Sequence, residues 1–291
     1  MLQTAPPVTS SFHVHSLMQP EPVTQRPVAR SLLFVPDAIV LPFDQQRYYT
    51  ERIVHLPDCY QVNDRKRTVG SRTPRREEFS LPTQGFVFCC FNTWKITPLI
   101  FDVWMRLLRK IAGSVLWLRR DNQQAGENLR KQAAARGIDP ARLVFADPLP
   151  HHSDHLARYC LADLFLDTLP YNAHTTASDA LWAGLPVLTC RGKAFAGRVV
   201  ASLLAAAGLP ELLTDSLAEY EALALRLATN QVLRSELRER LRKNRLECSL
   251  FDTDRFCRNI EAAYTTMWEL WQRGESPRGF SVAPQMERWR A

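Results

Sequence analysis

Between Phe79 and Ala207 the spacing of hydrophobic positions switches back and forth. Phe86–Phe91 (FVFCCF), Val115–Leu118 (VLWL), Leu143–Phe145 (LVF), Leu164–Leu166 and Val187–Thr189 are short unbroken apolar runs, the pattern of strands buried on both faces. Helical patterns separate them. Pro98–Ile111 carries Phe101, Met105, Leu108 and Ile111 along one face, and Glu127–Arg136, a short His155–Tyr159, Thr175–Ala183 and Ala196–Ala207 follow. Short apolar runs joined by helices predict βαβ units and a parallel sheet, an α/β domain, and no repeat of solenoid period is visible. Nearer the end, Phe256, Ile260, Ala263, Tyr264, Met267, Trp268 and Trp271 recur at three- and four-residue steps, predicting a helix over 254–271 with Asp252 or Thr253 as its N-cap.

The flanks read differently. Residues 1–35 are rich in Pro, Ser, Thr and Gln without an apolar period, and are expected to be disordered or poorly packed. Residues 36–78 are an irregular stretch ending in a basic run, 79–275 the α/β domain, and 276–291 a flexible tail.

Composition narrows the class. With 46% hydrophobic and 23% charged residues in 291, the chain can bury a core. No window approaches the roughly 18 apolar residues of a membrane span, so a soluble protein is expected. The start, MLQTAPPVTSSFHVHS, has neither the basic nor the apolar region of a secretory signal. Seven scattered cysteines without a CxxC or a Cys/His metal spacing suggest reduced thiols in a cytoplasm, and no metal ligands are assigned. The net charge of +7 suits an anionic partner without naming it. Six cations lie between Arg65 and Arg76 without interleaved aromatics. That argues against base stacking on single strands, and a solvated connecting loop is expected instead of a nucleic-acid site.

Doubly wound sheets bind ligands beyond the carboxyl ends of their strands, where helix N-termini offer free N–H groups. In LADLFLDTLPYNAHTTASDALWAGLPVLT the strand Leu164–Leu166 leads through Asp167–Ala173 to His174, Thr175 and Thr176 at a helix start. Those hydroxyls and amides can cradle a diphosphate, and Asp179, one turn on, can accept from ribose hydroxyls. A threonine cap with an acidic first turn is the plain structural alternative. Lys95, in FNTWK directly after FVFCCF, can neutralise charge on a departing phosphate, or be an ordinary loop lysine. His151, His152, His155 and Arg158 follow LVF; a ring stacking on a nucleobase and an exposed histidine loop both fit. There is no GxGxxG, GxxxxGK[ST] or GxSxG.

FNTWKITP, VLWLRR, ARLVF, DTLPYNAHTTASDALWAGLPVLT and GRVVASLL resemble the C-terminal catalytic half of O-linked N-acetylglucosamine (O-GlcNAc) transferases, including the bacterial SPINDLY-like proteins of glycosyltransferase family 41. The resemblance runs from about Phe79 to Trp271, and DAIVLPFDQQRYYTERIVHLPDCYQVND is similar to the end of the family's preceding domain and its linker. It implies a Rossmann-like parallel sheet flanked by helices, the C-terminal half of a GT-B fold, with an irregular N-terminal remnant. It also implies inverting, metal-independent transfer from UDP-GlcNAc to Ser/Thr hydroxyls of proteins, without a cofactor.

By the same resemblance Lys95 is the catalytic lysine on the donor diphosphate. His174, Thr175 and Thr176 are the diphosphate-binding HTT, Asp179 the acid on the ribose, His155 the ring against the uracil and Arg158 the arginine near its edge. The sequence departs from the family in a loop before Lys95 that is one residue shorter, leaving Thr93 as the polar phosphate contact. His152 stands where a ribose-contacting lysine is found, and most of the N-terminal GT-B domain and the tetratricopeptide repeats have no counterpart. The resemblance therefore implies a truncated glycosyltransferase whose partners are a UDP-sugar, a protein acceptor and a chain supplying the missing domain. The alternative is a non-catalytic UDP-sugar-binding remnant. Neither nucleic acid nor membrane is among the expected partners.

Overall fold

The computed structural model describes residues 33–285. The lead-in expected over 1–35 lies outside them except for its last residues, of which Leu33–Phe34 form β1. In chain order the other elements are β2 (Arg52–His55), β3 (Val87–Cys90), α1 (Pro98–Lys110), β4 (Val115–Arg119), α2 (Gln123–Ala134), β5 (Leu143–Ala146), α3 (His152–Ala157) and β6 (Leu164–Leu166). Then follow α4 (Thr175–Trp182), β7 (Val187–Cys190), α5 (Val199–Ala206), β8 (Leu213–Thr214), α6 (Leu217–Thr229), α7 (Gln231–Asn244), α8 (Thr253–Gln272) and β9 (Phe280–Ser281).

Six strands form the main sheet in the order β5-β4-β3-β6-β7-β8, each pair parallel. Counted within the domain this is the 3-2-1-4-5-6 order of a doubly wound Rossmann sheet, whose direction of winding reverses between β3 and β6. The strand residues are almost wholly buried (β3, β5 and β7 throughout), because crossover helices cover the sheet's faces. Trp104, Trp117, Phe88 and Phe165 anchor the core. Thr97 caps α1 by accepting from the Ile100 amide, and Pro98 sits at the first helical position, where its missing N–H costs nothing. Asp252 caps α8 through the Arg255 amide.

A second, three-stranded parallel sheet, β1-β2-β9, joins the two ends of the described chain. Residues from 276 on, expected to be a flexible tail, include this third strand: Phe280 and Ser281 pair with Val54 and His55, and Val282 is buried against Val54, Leu56 and Ala263. Alternation of outward Ser281 with apolar Phe280 and Val282 drives the pairing. The irregular segment before the domain is likewise well seated. Asp37, 1% exposed, accepts from the amides of Ile39, Val40 and Tyr60 and from the Ser202 hydroxyl on α5.

The basic run is less solvated than expected. Arg76 donates to the Leu161 and Gly85 carbonyls and pairs with Asp163 at 2.9 Å. Arg72 pairs with Glu78, Arg65 with Asp254, and Arg67 reaches Asp179 at 2.6 Å. Much of the positive charge is thus met within the chain.

Candidate functional site

The carboxyl ends of β3 and β6, on the two sides of the winding reversal, carry the loops in which the sequence placed its chemistry. After β3 the chain makes one tight turn, Thr93–Lys95. After β6 it runs through Asp167–Ala173 into α4. Asp167, 2% exposed, organises that second loop by accepting from the amides of Thr168 (2.8 Å) and Ala173 (2.6 Å) and the Thr189 hydroxyl (2.6 Å). Burial pushes its carboxyl up to about 7 against the pull of these hydrogen bonds and of Lys95.

Lys95 bridges the two loops. Its Nζ donates to the Asn172 carbonyl at 2.7 Å and lies over the rings of Tyr171 (3.9 Å) and Trp94 (4.8 Å). Burial lowers its pKa, with Asp167 opposing. The rings and carbonyl hold the ammonium at the mouth of the two loops, where an anion would meet it. Thr176 donates to Asn92 Oδ1 at 2.7 Å and so ties the start of α4 to the β3 loop. Thr175 is exposed on the first turn. His174 occupies the N-cap position and its ring stacks on Tyr171 at 5.1 Å; burial first, then Lys95, lower its pKa, and its Nε2 is buried without a partner among the described residues.

His155 and Arg158 stand on α3 and the turn after it. Arg158 Nη2 lies 2.5 Å from His155 Nδ1, Nη1 donates to the Asp147 carbonyl at 2.7 Å, and the guanidinium covers Phe91 at 4.7 Å. Burial, then the Arg158 charge, bring the His155 pKa down to about 3. The ring is therefore neutral, and because guanidinium can only donate, Nδ1 accepts and Nε2 carries the proton. Phe91, Tyr159 and His152 pack around it with centroids 5.2–5.9 Å away.

On the inward face of α4, Asp179 is 4% exposed and accepts from Arg67 Nη1, with His152 Nε2 at 4.0 Å. Burial raises its pKa and Arg67 lowers it. The structure thus gathers Lys95, His174, Thr175, Thr176, Asp179, His152 and His155 around the ends of β3, β5 and β6. Arg158 is 1% exposed and braces His155 from beneath. Thr93 donates its one hydroxyl proton to the Arg119 carbonyl at 2.6 Å, so here it can accept but not donate.

Sequence reasoning missed Asn92, Asp167, Tyr171 and Asn172, all of which stand inside the strings that carried the resemblance. It also missed Arg67, whose partner is 112 positions away.

A lysine, a helix start and a buried acid gathered at the winding reversal of a parallel sheet occupy the place where Rossmann-like domains take their ligands. The glycosyl transferase family 41 model matches residues 66–260, and the chain belongs to that family. It is 40% identical over 85% of its length to an Arabidopsis thaliana protein named as a probable UDP-N-acetylglucosamine–peptide N-acetylglucosaminyltransferase SEC. It is 30% identical over 84% to the rice protein named as a probable enzyme of that kind, SPINDLY. A point mutant of the Thermobaculum terrenum O-GlcNAc transferase superposes with a TM-score of 0.75 at 33% identity, covering 84% of this chain and 46% of that one. The chain spans 26% of each of the two plant relatives. These matches bear out the family and the Rossmann-like GT-B fold expected from the sequence. Among the described residues no helix is long and apolar enough to cross a membrane.

Proposed function

We propose that this chain is the UDP-sugar-binding half of an O-GlcNAc-type transferase acting in the cytoplasm, where its seven unpaired cysteines stay reduced. UDP-GlcNAc is the donor and Ser/Thr hydroxyls of proteins are the acceptors. The observation that carries this reading is the convergence of Lys95, the start of α4 and Asp179 at the winding reversal. The diphosphate lies between Lys95 and the free amides of Thr175 and Thr176, where the helix dipole and ammonium favour negative charge. As the acceptor oxygen attacks the anomeric carbon from the face opposite the leaving group, charge builds on the diphosphate and Lys95 stabilises it. The transfer inverts the anomeric centre and asks nothing of a metal. His155 presents a neutral, flat ring to the uracil with Nε2–H free to donate, and Asp179 accepts from the ribose.

A second reading, a UDP-sugar-binding module that pairs with another protein surface and does not itself catalyse transfer, is favoured by the aromatic face of α8. Tyr264, Trp268 and Trp271 are 56–67% exposed there, with the two tryptophans stacked at 4.8 Å. Large exposed aromatics in one patch mark contact surfaces.

Titrating UDP into the purified chain by calorimetry tests the shared core of both readings. Micromolar binding is expected, weakened about tenfold or more by Lys95→Ala and by Asp179→Ala, since each removes a charge-assisted contact. Absence of binding in a chain shown to be folded overturns the donor-site assignment. Sugar transfer by this chain would then separate the catalytic reading from the binding module.

A further inference from the structure

The basic segment before the domain contributes one residue to the candidate site that its motifs do not contain. Arg67 is only 15% exposed at its side chain and Asp179 only 5%. The guanidinium is fixed in every direction. Nε donates to the Asp64 carbonyl (2.9 Å), Nη1 to Asp179 Oδ1 (2.6 Å) and Nη2 to the Ser178 hydroxyl (3.5 Å), and its carbon lies over Trp182 (5.5 Å) and Phe251 (5.9 Å). The backbone is held as well. Trp182 Nε1 donates to the Arg67 carbonyl at 3.1 Å, and Asn63 joins Ser178 to the Leu250 carbonyl. Carrying an arginine this far out of water is costly unless its charge is matched; here its one direct ion pair is with Asp179 Oδ1, and the Asp64 carboxylate adds to the attraction. Asp179 Oδ2 accepts no hydrogen bond among the described residues.

We infer that Arg67 is a positioning residue for the donor: by holding Asp179 Oδ1 it keeps the buried carboxylate ionised and turned so that Oδ2 accepts from a ribose hydroxyl. This rests on the donor reading above and extends it to the linker. A buried carboxylate without its cation would take up a proton or rotate, and either change ends its use as a fixed acceptor. His152, the other basic group facing Asp179, is 4.0 Å away and 56% exposed, so it does not replace the arginine. The linker thus belongs to the nucleotide site, and a domain cut after the basic run would lack part of it.

Calorimetric titration of wild type, Arg67→Met and Arg67→Lys with UDP and with 2′,3′-dideoxy-UDP tests this, circular dichroism establishing that each variant is folded. Wild type is expected to bind UDP more tightly than the dideoxy analogue. Arg67→Met is expected to weaken UDP about tenfold, to the level of the analogue, while leaving the analogue's affinity unchanged; Arg67→Lys restores part of the loss. Equal UDP affinity in Arg67→Met and wild type overturns the inference. So does an equal loss for both ligands, which would mean that Arg67 only holds the linker in place or meets the phosphates directly. If folded wild type binds neither ligand, the donor reading itself falls and this inference with it.

Discussion

His155 and Asp167 are both buried titratable groups of the candidate site, and their environments push stability in opposite directions with pH. His155 has a folded pKa of about 3 against an ordinary 6.5. Between those values the unfolded chain binds a proton that the folded chain refuses, so this group's contribution is intact above pH 6.5. It is lost as pH falls, by at most about 1.4 kcal/mol per pH unit. Asp167 has a folded value of about 7 against 3.8. Over that window the folded chain keeps a proton the unfolded chain has released, and stability is lost as pH rises toward 7. Urea melts of wild type, His155→Gln and Asp167→Asn at pH 5, 6 and 7.5 resolve the two. The gap between wild type and His155→Gln should narrow as pH falls, because glutamine carries no proton penalty while still accepting from Arg158. The gap between wild type and Asp167→Asn should narrow as pH rises. Gaps that do not move with pH would refute both assignments. None of this could be read from sequence. The residues alone leave His155 open between a base-stacking ring and an exposed loop histidine, and the resemblance that sets it against the uracil says nothing of the buried Arg158 contact that keeps it neutral. Asp167 is, in sequence, only the residue after a strand.

The loops around α4 depend on close backbone approach. A Cβ on Gly197 would come within 2.6 Å of the Pro170 carbonyl and 3.0 Å of Gly192 Cα. The same stretch donates nothing by side chain, yet the Ala196 carbonyl accepts from the Asn172 amide at 2.8 Å, and the Asn172 carbonyl in turn holds Lys95. Gly197→Ala must therefore push the 192–197 turn away from the β6 loop and carry Asn172 with it. Overpacking of this kind costs roughly 1–3 kcal/mol, and UDP affinity should fall as well because Lys95 loses its anchor. Urea melts beside a UDP titration check both, and unchanged affinity would show that the Lys95 position is independent of this turn. At this scale much was legible. The apolar runs predicted five of the six strands of the main sheet to within a residue or two, because strands buried on both faces must be apolar throughout. Helices α6 and α7 were not anticipated. In α6, Tyr220, Ala224 and Leu227 supplied a usable period, but α7 buries only Leu237 and Leu241 along fourteen mostly polar residues and shows no stripe. Contacts between distant segments, such as Arg67 with Asp179, leave no local period at all.

Across the whole molecule, the segment before the domain and the segment after α8 stabilise each other through the β1-β2-β9 sheet. Without β9, β2 would have an open edge and the cluster of Val54, Leu56 and Ala263 would lose Val282, its cover. The Val282 amide donates to the His55 carbonyl at 2.9 Å, the Gln285 amide to Asn259 Oδ1 at 3.1 Å, and Gly279 lies so close to the Ile53 carbonyl that a Cβ there would meet it at 2.8 Å. A valine side chain taken out of water and a few hydrogen bonds at their usual net worth together make about 2–4 kcal/mol. Deleting residues 276–291 should therefore lower stability by about that amount in a urea melt, where removal of a flexible tail would leave it unchanged. The nucleotide site should hardly notice. Its groups come from the ends of β3, β5 and β6 and from the linker at Arg67, which is stitched to α4 and to the Leu250 carbonyl just before α8, none of which β9 supports directly. A shortened chain that melts earlier yet binds UDP with wild-type affinity would show that the two ends brace the fold while the winding reversal and the linker make the site. Loss of binding in proportion to lost stability would show instead that the linker needs the second sheet to keep Arg67 in place.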